Sequence, residues 1–167
     1  MAWSTVCVRE AMTIRAAPEK AAALYLSYAG WPRLFPATIR GVRFLRERSG
    51  EITVEVDHRT EGRVVNVIRP ESPTVIVLDE LKPRFGATFI NRFDASPAGT
   101  RYTVDAEVRF RGVCAVVAPV LRGIVRRRIR QFVLEPMRVA AERGSSGRAT
   151  PRSRAAVRAQ ARRERTR

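Results

Sequence analysis

The chain has 167 residues, 45% of them hydrophobic, and a formal net charge of +16. This is enough apolar material for one domain with a real core, which excludes disorder throughout, and no apolar run reaches the ~20 residues of a membrane span. Two cysteines (Cys7, Cys114) and one histidine (His58) exclude a disulfide scaffold and most zinc chemistry.

Both cysteines sit among apolar residues and are read as reduced, structural thiols. The N-terminal Met1 to Cys7 lacks a basic stretch followed by an apolar one, so the expected address is cytoplasmic. Charge is unevenly spread. Residues 144–167 hold eight Arg against one acid, Glu164, whereas residues 1–143 hold 24 bases against 15 acids.

In chain order, Thr5 to Arg15 alternates and carries β-branched residues, which predicts a strand. Pro18 suits the first position of a helix over Glu19 to Tyr28, closed by Ala29-Gly30. Trp31-Pro32-Arg33-Leu34-Phe35-Pro36 predicts a short second helix or turn. From Ile39 to Arg111 the period is two, giving strands at 39–48, 51–60, 62–69, 74–81, 85–94 and 101–111. The breaks are short and contain Gly or Pro, so the strands form a meander of hairpins and not βαβ crossovers.

After Gly112 the pattern turns helical over residues 113–143, roughly 46 Å of helix. Val117, Leu121, Ile124, Val125, Ile129, Phe132, Val133 and Met137 make its apolar face, with Arg122, Arg126, Arg127, Arg130 and Arg138 mainly opposite. Pro119 divides a lead-in turn from the main helix, and Pro136 is expected to kink it. Beyond Gly144-Ser145-Ser146-Gly147 the apolar residues thin out, which predicts a disordered Arg-rich tail over 144–167.

A seven-stranded antiparallel sheet must cover its apolar face, and only helix 113–143 is long and apolar enough to do so. One helix cannot fill the whole concavity of a curved sheet. A cavity between sheet and helix follows. The order strand, two short helices, six strands, long helix resembles the helix-grip (START-like, Bet v 1-like) superfamily. More narrowly it resembles the polyketide cyclase/dehydrase and lipid-transport family. The residues carrying this are Ile14-Arg15-Ala16-Ala17-Pro18-Glu19-Lys20, Trp31-Pro32-Arg33-Leu34-Phe35-Pro36, Gly99-Thr100-Arg101-Tyr102-Thr103-Val104 and Ala118-Pro119. The resemblance covers residues 4 to 143 and implies an α+β helix-grip fold with a ligand-binding domain over 1–143. It also implies hydrophobic-ligand binding, with cyclase chemistry in some members.

Alternation places candidate site residues on the inner face. His58 is in line with Ile52, Val54 and Val56, and reads either as a proton donor or ligand anchor or as a satisfied histidine at the sheet edge. Tyr102 and Val104 share a face with Ala106, Val108 and Phe110, and Phe89 and Asn91 share one with Phe85, Ala87 and Phe93. Asn91, polar on an apolar face, must be hydrogen-bonded or touch ligand. The facing of strand 62–69 is ambiguous, so Asn66 joins this set only if it points inward. Trp31 and Phe35 read as lid or entrance aromatics, or as packing for the short helices. Leu121 and Val125 would line the cavity from the helix.

The leading expectation is binding of a lipid, polyketide-like or aromatic small molecule, oriented by His58, Tyr102, Asn91 and Asn66. A second is a cyclase or dehydratase using acid–base groups, since cyclases of the resembling family orient poly-β-keto chains with Arg, Tyr and Asn groups. A third is contact with RNA, ribosome or anionic membrane through the Arg-rich helix and Arg148 to Arg167. No metal or cofactor is implied.

Overall fold

The computed structural model describes residues 3–82, 85–111 and 117–146. Strand β1 (Trp3–Ile14) is followed by helix α1 (Pro18–Leu26), a 3-10 turn (Tyr28–Gly30) and the one-turn helix α2 (Trp31–Leu34). Six strands then run in succession: β2 (Ile39–Arg48), β3 (Glu51–His58), β4 (Gly62–Ser72), β5 (Val75–Lys82), β6 (Phe85–Ser96) and β7 (Gly99–Arg111). Helix α3 (Ala118–Ile129), a π-turn (Arg130–Leu134) and helix α4 (Glu135–Ser146) complete the described chain. The sheet order is β1-β7-β6-β5-β4-β3-β2, antiparallel at every pairing. This is the expected meander, with β1 returning to pair with the last strand.

Local chemistry accounts for the breaks. Ser49 and Gly50 both take positive φ (52° and 80°), the backbone a two-residue hairpin turn between right-twisted strands requires. Pro18 opens α1 where a missing N–H costs nothing. Pro119 likewise falls in the first turn of α3. The helix passes Pro136 without ending. Its interruption takes the form of the π-turn just before, where the Glu135 N–H reaches back to the Arg130 carbonyl.

Several expectations need correction. Val117 and Ile124, assigned to the apolar face, are 45% and 49% exposed, whereas Leu134 and Ala141 are buried. Cys7 lies exposed on the outer face of β1 and is not a packed small hydrophobe; Cys114 falls outside the described residues. The helix runs past residue 143 to Ser146, its end held by Lys20 Nζ donating to the Gly144 carbonyl (2.7 Å). The start of the expected helix at 113–116 and the tail from 147 onward also lie outside the described residues.

The core gathers where α1, α2 and α4 meet the concave face. Tyr25, Trp31, Leu34, Phe35, Leu134, Met137 and Ala141 pack there against Val54, Ile68, Ile76, Phe93 and Val104. Helix α3 is held differently, along β1. Glu10, on the inner face of β1 and 4% exposed, accepts hydrogen bonds from Arg126 Nε (2.6 Å) and Arg130 Nη2 (2.7 Å). No helix among the described residues is long and apolar enough to cross a membrane.

The Glu10 clamp carries a pH prediction. Burial acts to raise the Glu10 pKa, but the Arg126 and Arg130 hydrogen bonds outweigh it and leave the carboxyl below its ordinary value. A depressed folded-state pKa stabilises above the unfolded value of about 4.3 and is lost as pH falls through the folded one. Breaking a buried pair costs about 3–5 kcal/mol. Both arginines are more than half exposed, 57% and 64%, so the effect here is nearer ~2 kcal/mol. Glu10→Gln is expected to lose this amount at neutral pH and little once the pH lies well below the depressed folded-state pKa. Urea titrations at both pH values check it; equal losses at both would contradict the clamp.

Candidate functional site

The pairing register settles which residues share the concave face. Asn66 lies opposite Val54 on one side and Glu80 on the other, and Val64 is the neighbour of Val56. With Val64, Asn66 and Ile68 all buried, β4 turns Asn66 inward. The same parity on β5 points Ile76, Leu78, Glu80 and Lys82 inward.

Two polar groups occupy this face, and they differ in kind. The first is closed. Tyr102 Oη donates to Asn91 Oδ1 (2.7 Å), and Asn91 Nδ2 donates to Tyr25 Oη and to the Ile76 carbonyl, both at 3.3 Å. Asn91 is 1% exposed and Tyr102 fully buried. Burial pushes both phenols above the ordinary tyrosine range. Tyr102 is stacked on Phe93, and Tyr25 leads on to Trp31 and Phe35 through ring contacts at 5.7 and 6.3 Å. Trp31 Nε1 donates to the Tyr25 carbonyl (2.7 Å). Trp31 and Phe35, expected as a lid, are thus interior members of an aromatic cluster, 2% and 6% exposed. Val104 is buried beside Asn91, and Phe89 is half-buried between Leu78 and Ala106.

The second group is open. It runs from the middle of β4 to the β3–β4 turn, where Arg128 of α3 reaches Glu61. Asn66 Oδ1 and His58 Nε2 are buried there with no hydrogen-bond partner. A buried polar atom left unpaired costs about 1–3 kcal/mol, so a pair of them calls for an explanation. The two residues stand roughly 13 Å apart along the strands, at about 3.3 Å per residue. Glu80 and Lys82 fill the interval, and Lys82 Nζ bonds Glu61 on the β3–β4 hairpin while standing 3.9 Å from Glu80. Arg128 of α3 reaches Glu61 at 3.4 Å. Leu121 and Val125 of α3 are half-buried against the core.

The electrostatics follow from burial. Burial lowers the His58 pKa, helped by Lys82 and opposed by Glu61 and Asp57, so the imidazole is neutral at pH 7. Burial raises the Glu80 carboxyl, with Glu61 adding to the rise and Lys82 opposing it. A carboxyl held toward its protonated form, a neutral imidazole and an ammonium thus stand on neighbouring strands of one sheet face.

Of the sequence-based candidates, His58 and Asn66 share this part of the concave face, and Leu121 and Val125 are half-buried against the core from α3. Asn91, Tyr102, Trp31, Phe35 and Val104 belong to the closed network and its surroundings. Glu80, Lys82 and Glu61 were missed. Glu80 follows the run Val75-Ile76-Val77-Leu78, where alternation is lost; the signal that finds it is its register opposite Asn66. No cluster of His, Cys, Asp and Glu able to hold a metal ion occurs among the described residues.

No protein-family model matches the chain, and neither does any curated protein. Solved structures do. The di-domain ARO/CYC StfQ from the steffimycin biosynthetic pathway is similar with TM-score 0.70 at 14% identity, over 86% of this chain and 52% of that one. This chain therefore spans about half the length of that protein. The Zhui aromatase/cyclase from Streptomyces sp. R1128 gives 0.60 at 16%, over 84% and 95% of the two chains. A START superfamily protein from Mycobacterium smegmatis gives 0.61 at 11%, over 82% and 97%. At such identities the likeness carries the fold alone, and the fold is the helix grip expected from the order of elements: a curved seven-stranded sheet closed on a C-terminal helix.

Proposed function

We propose that this protein binds an apolar small molecule carrying a hydroxyl or carbonyl group, seated between the hairpin end of the sheet and α3. The observation that carries the reading is the presence of two buried unpartnered atoms, Asn66 Oδ1 and His58 Nε2, on the inner sheet face, toward which α3 turns the half-buried Leu121 and Val125 of its core side. A ligand hydroxyl satisfies such an atom, and an apolar body replaces water along the helix. The solved structures similar to this chain include aromatase/cyclases, which supports a polyketide-like or aromatic ligand without naming one.

Binding of 2-naphthol and of naphthalene, followed by native mass spectrometry and by displacement of a lipophilic fluorophore, tests this. One of Asn66→Leu and His58→Ala, whichever residue meets the single hydroxyl, is expected to weaken 2-naphthol about five- to tenfold, the worth of one hydrogen bond of ~1 kcal/mol, and the other to leave it unchanged. Naphthalene affinity should change little. Absence of saturable binding, or undiminished naphthol affinity in both variants, sinks the proposal.

A second reading has its own observation. The raised carboxyl of Glu80 next to Lys82, with neutral His58 in the same group, is what acid–base chemistry on a keto chain uses. In this reading the chain is a cyclase or dehydratase and Glu80 is the acid. Glu80→Gln would then abolish turnover of a poly-β-keto substrate while 2-naphthol still binds.

A further inference from the structure

The apolar face expected of α3 is not fully spent on the core. Leu121, Val125 and Ile129 turn inward, Ile129 to 3% exposure. Arg126 and Arg130 turn to Glu10 on β1, and Arg128 to Glu61. At 100° per residue, Val117, Val120 and Ile124 fall together on the remaining outward flank, and they are 45%, 66% and 49% exposed. Arg127 stands on the same flank, exposed, with no ion pair among the described residues. Helix α3 holds no Asp or Glu, and the whole chain is +16. Three exposed branched aliphatic residues beside unopposed arginine are a poor surface for water alone.

We infer that this flank of α3 docks on an anionic lipid bilayer. An interfacial helix needs apolar side chains that can enter the headgroup–acyl boundary and cations at the phosphate level, and this flank supplies both from one helix. The charge is complementary to an anionic leaflet over the whole molecule, which draws the basic face toward it. A nucleic acid would use the arginines but would gain nothing from Val120 and Ile124. The flank adjoins Arg128 and Glu61, at the same end as the open polar group, so docking would bring a membrane to the side of the proposed ligand space. The docking itself does not depend on that space being occupied.

Co-sedimentation of the full chain with vesicles of phosphatidylcholine alone, and of phosphatidylcholine with phosphatidylglycerol, tests the inference. Binding is expected to the mixed vesicles, weakened by salt, and little to the neutral ones. Val120→Asn with Ile124→Asn keeps the charge and is expected to weaken it about tenfold or more. Arg127→Gln is expected to weaken it about fivefold. All three positions are exposed, and an unchanged melting curve with unchanged 2-naphthol binding shows that the variants fold. Vesicle binding indifferent to these substitutions would assign the contact to the basic tail and overturn the proposal. Absence of vesicle binding, or RNA binding that alone survives in the double variant, overturns it too.

Discussion

Gly99→Ala is expected to cost about 4 kcal/mol and to lower the melting temperature by more than about 10 °C. Gly99 opens β7 at φ +125°, where an L side chain is strained. A Cβ there would also run into the Ile14 carbonyl and stand 3.1 Å from Arg15 Cα and 3.2 Å from Ala16 N, all of them backbone atoms that cannot step aside. The crowding exists because the next residue, Thr100, is fully buried and donates its hydroxyl to the Ala16 carbonyl (2.6 Å). The β6–β7 hairpin is thereby pinned to the junction of β1 and α1. Gly50→Ala is the control. Its φ is +80° but no atom lies within 4 Å of an added Cβ, so only the backbone term of ~1 kcal/mol remains. Thermal denaturation of the two variants separates crowding from strain; equal shifts would remove the pinning argument.

Asn91→Leu is expected to cost about 3 kcal/mol although it replaces a polar residue in the core by an apolar one of similar size. The substitution strands the Tyr102 and Tyr25 hydroxyls and the Ile76 carbonyl, which now meet at one amide. Each stranded group carries a desolvation cost of ~1–3 kcal/mol. The triple variant Tyr25→Phe, Tyr102→Phe, Asn91→Leu removes the hydroxyls together with their partner. Denaturant titration should show it recovering most of the loss, as expected when coupled groups are deleted together. A triple variant less stable than Asn91→Leu alone would show that the network contributes more than mutual satisfaction.

The strand positions were legible because turn chemistry and alternation agree. Strand 39–48 is found with those bounds, and the remaining strands differ by a few residues at their ends. The inward facing of Tyr102, Val104 and Val108 was legible for the same reason. Strand 62–69 was not, because Val64 and Ile68 on one face are matched by Val65 and Val67 on the other. Only pairing with β3 and β5 turns Asn66 inward, and Glu80 comes with it.

The helix was misphased at one turn for a different reason, although Ile129 and Met137 lie on the buried face as expected. Stepping by three and four from Ile129 leads to Phe132 and Val133, yet the most buried residue of the next turn is Leu134. The π-turn over Arg130–Leu134 inserts a fifth residue into that turn, which brings Leu134 and then Ala141 to the buried side. No period of 3.6 anticipates that. Trp31 and Phe35 drew attention as aromatics beside prolines, but sequence alone does not tell a lid from a cluster that Tyr25 and Phe93 complete.

The closure of the sheet by its first strand governs the order in which the chain can assemble. Strands β2 to β7 meet neighbours a hairpin away, whereas Val8 must wait for Ala106 and Glu10 for Arg126, 116 residues later. Local pairings carry a smaller loop-closure cost, and so a rate advantage, over distant ones. During synthesis β1 is made first and paired last, so its apolar residues Val6, Val8 and Ile14 stay uncovered while the meander forms. The same residues that seal the finished domain are, for that interval, its most aggregation-prone segment.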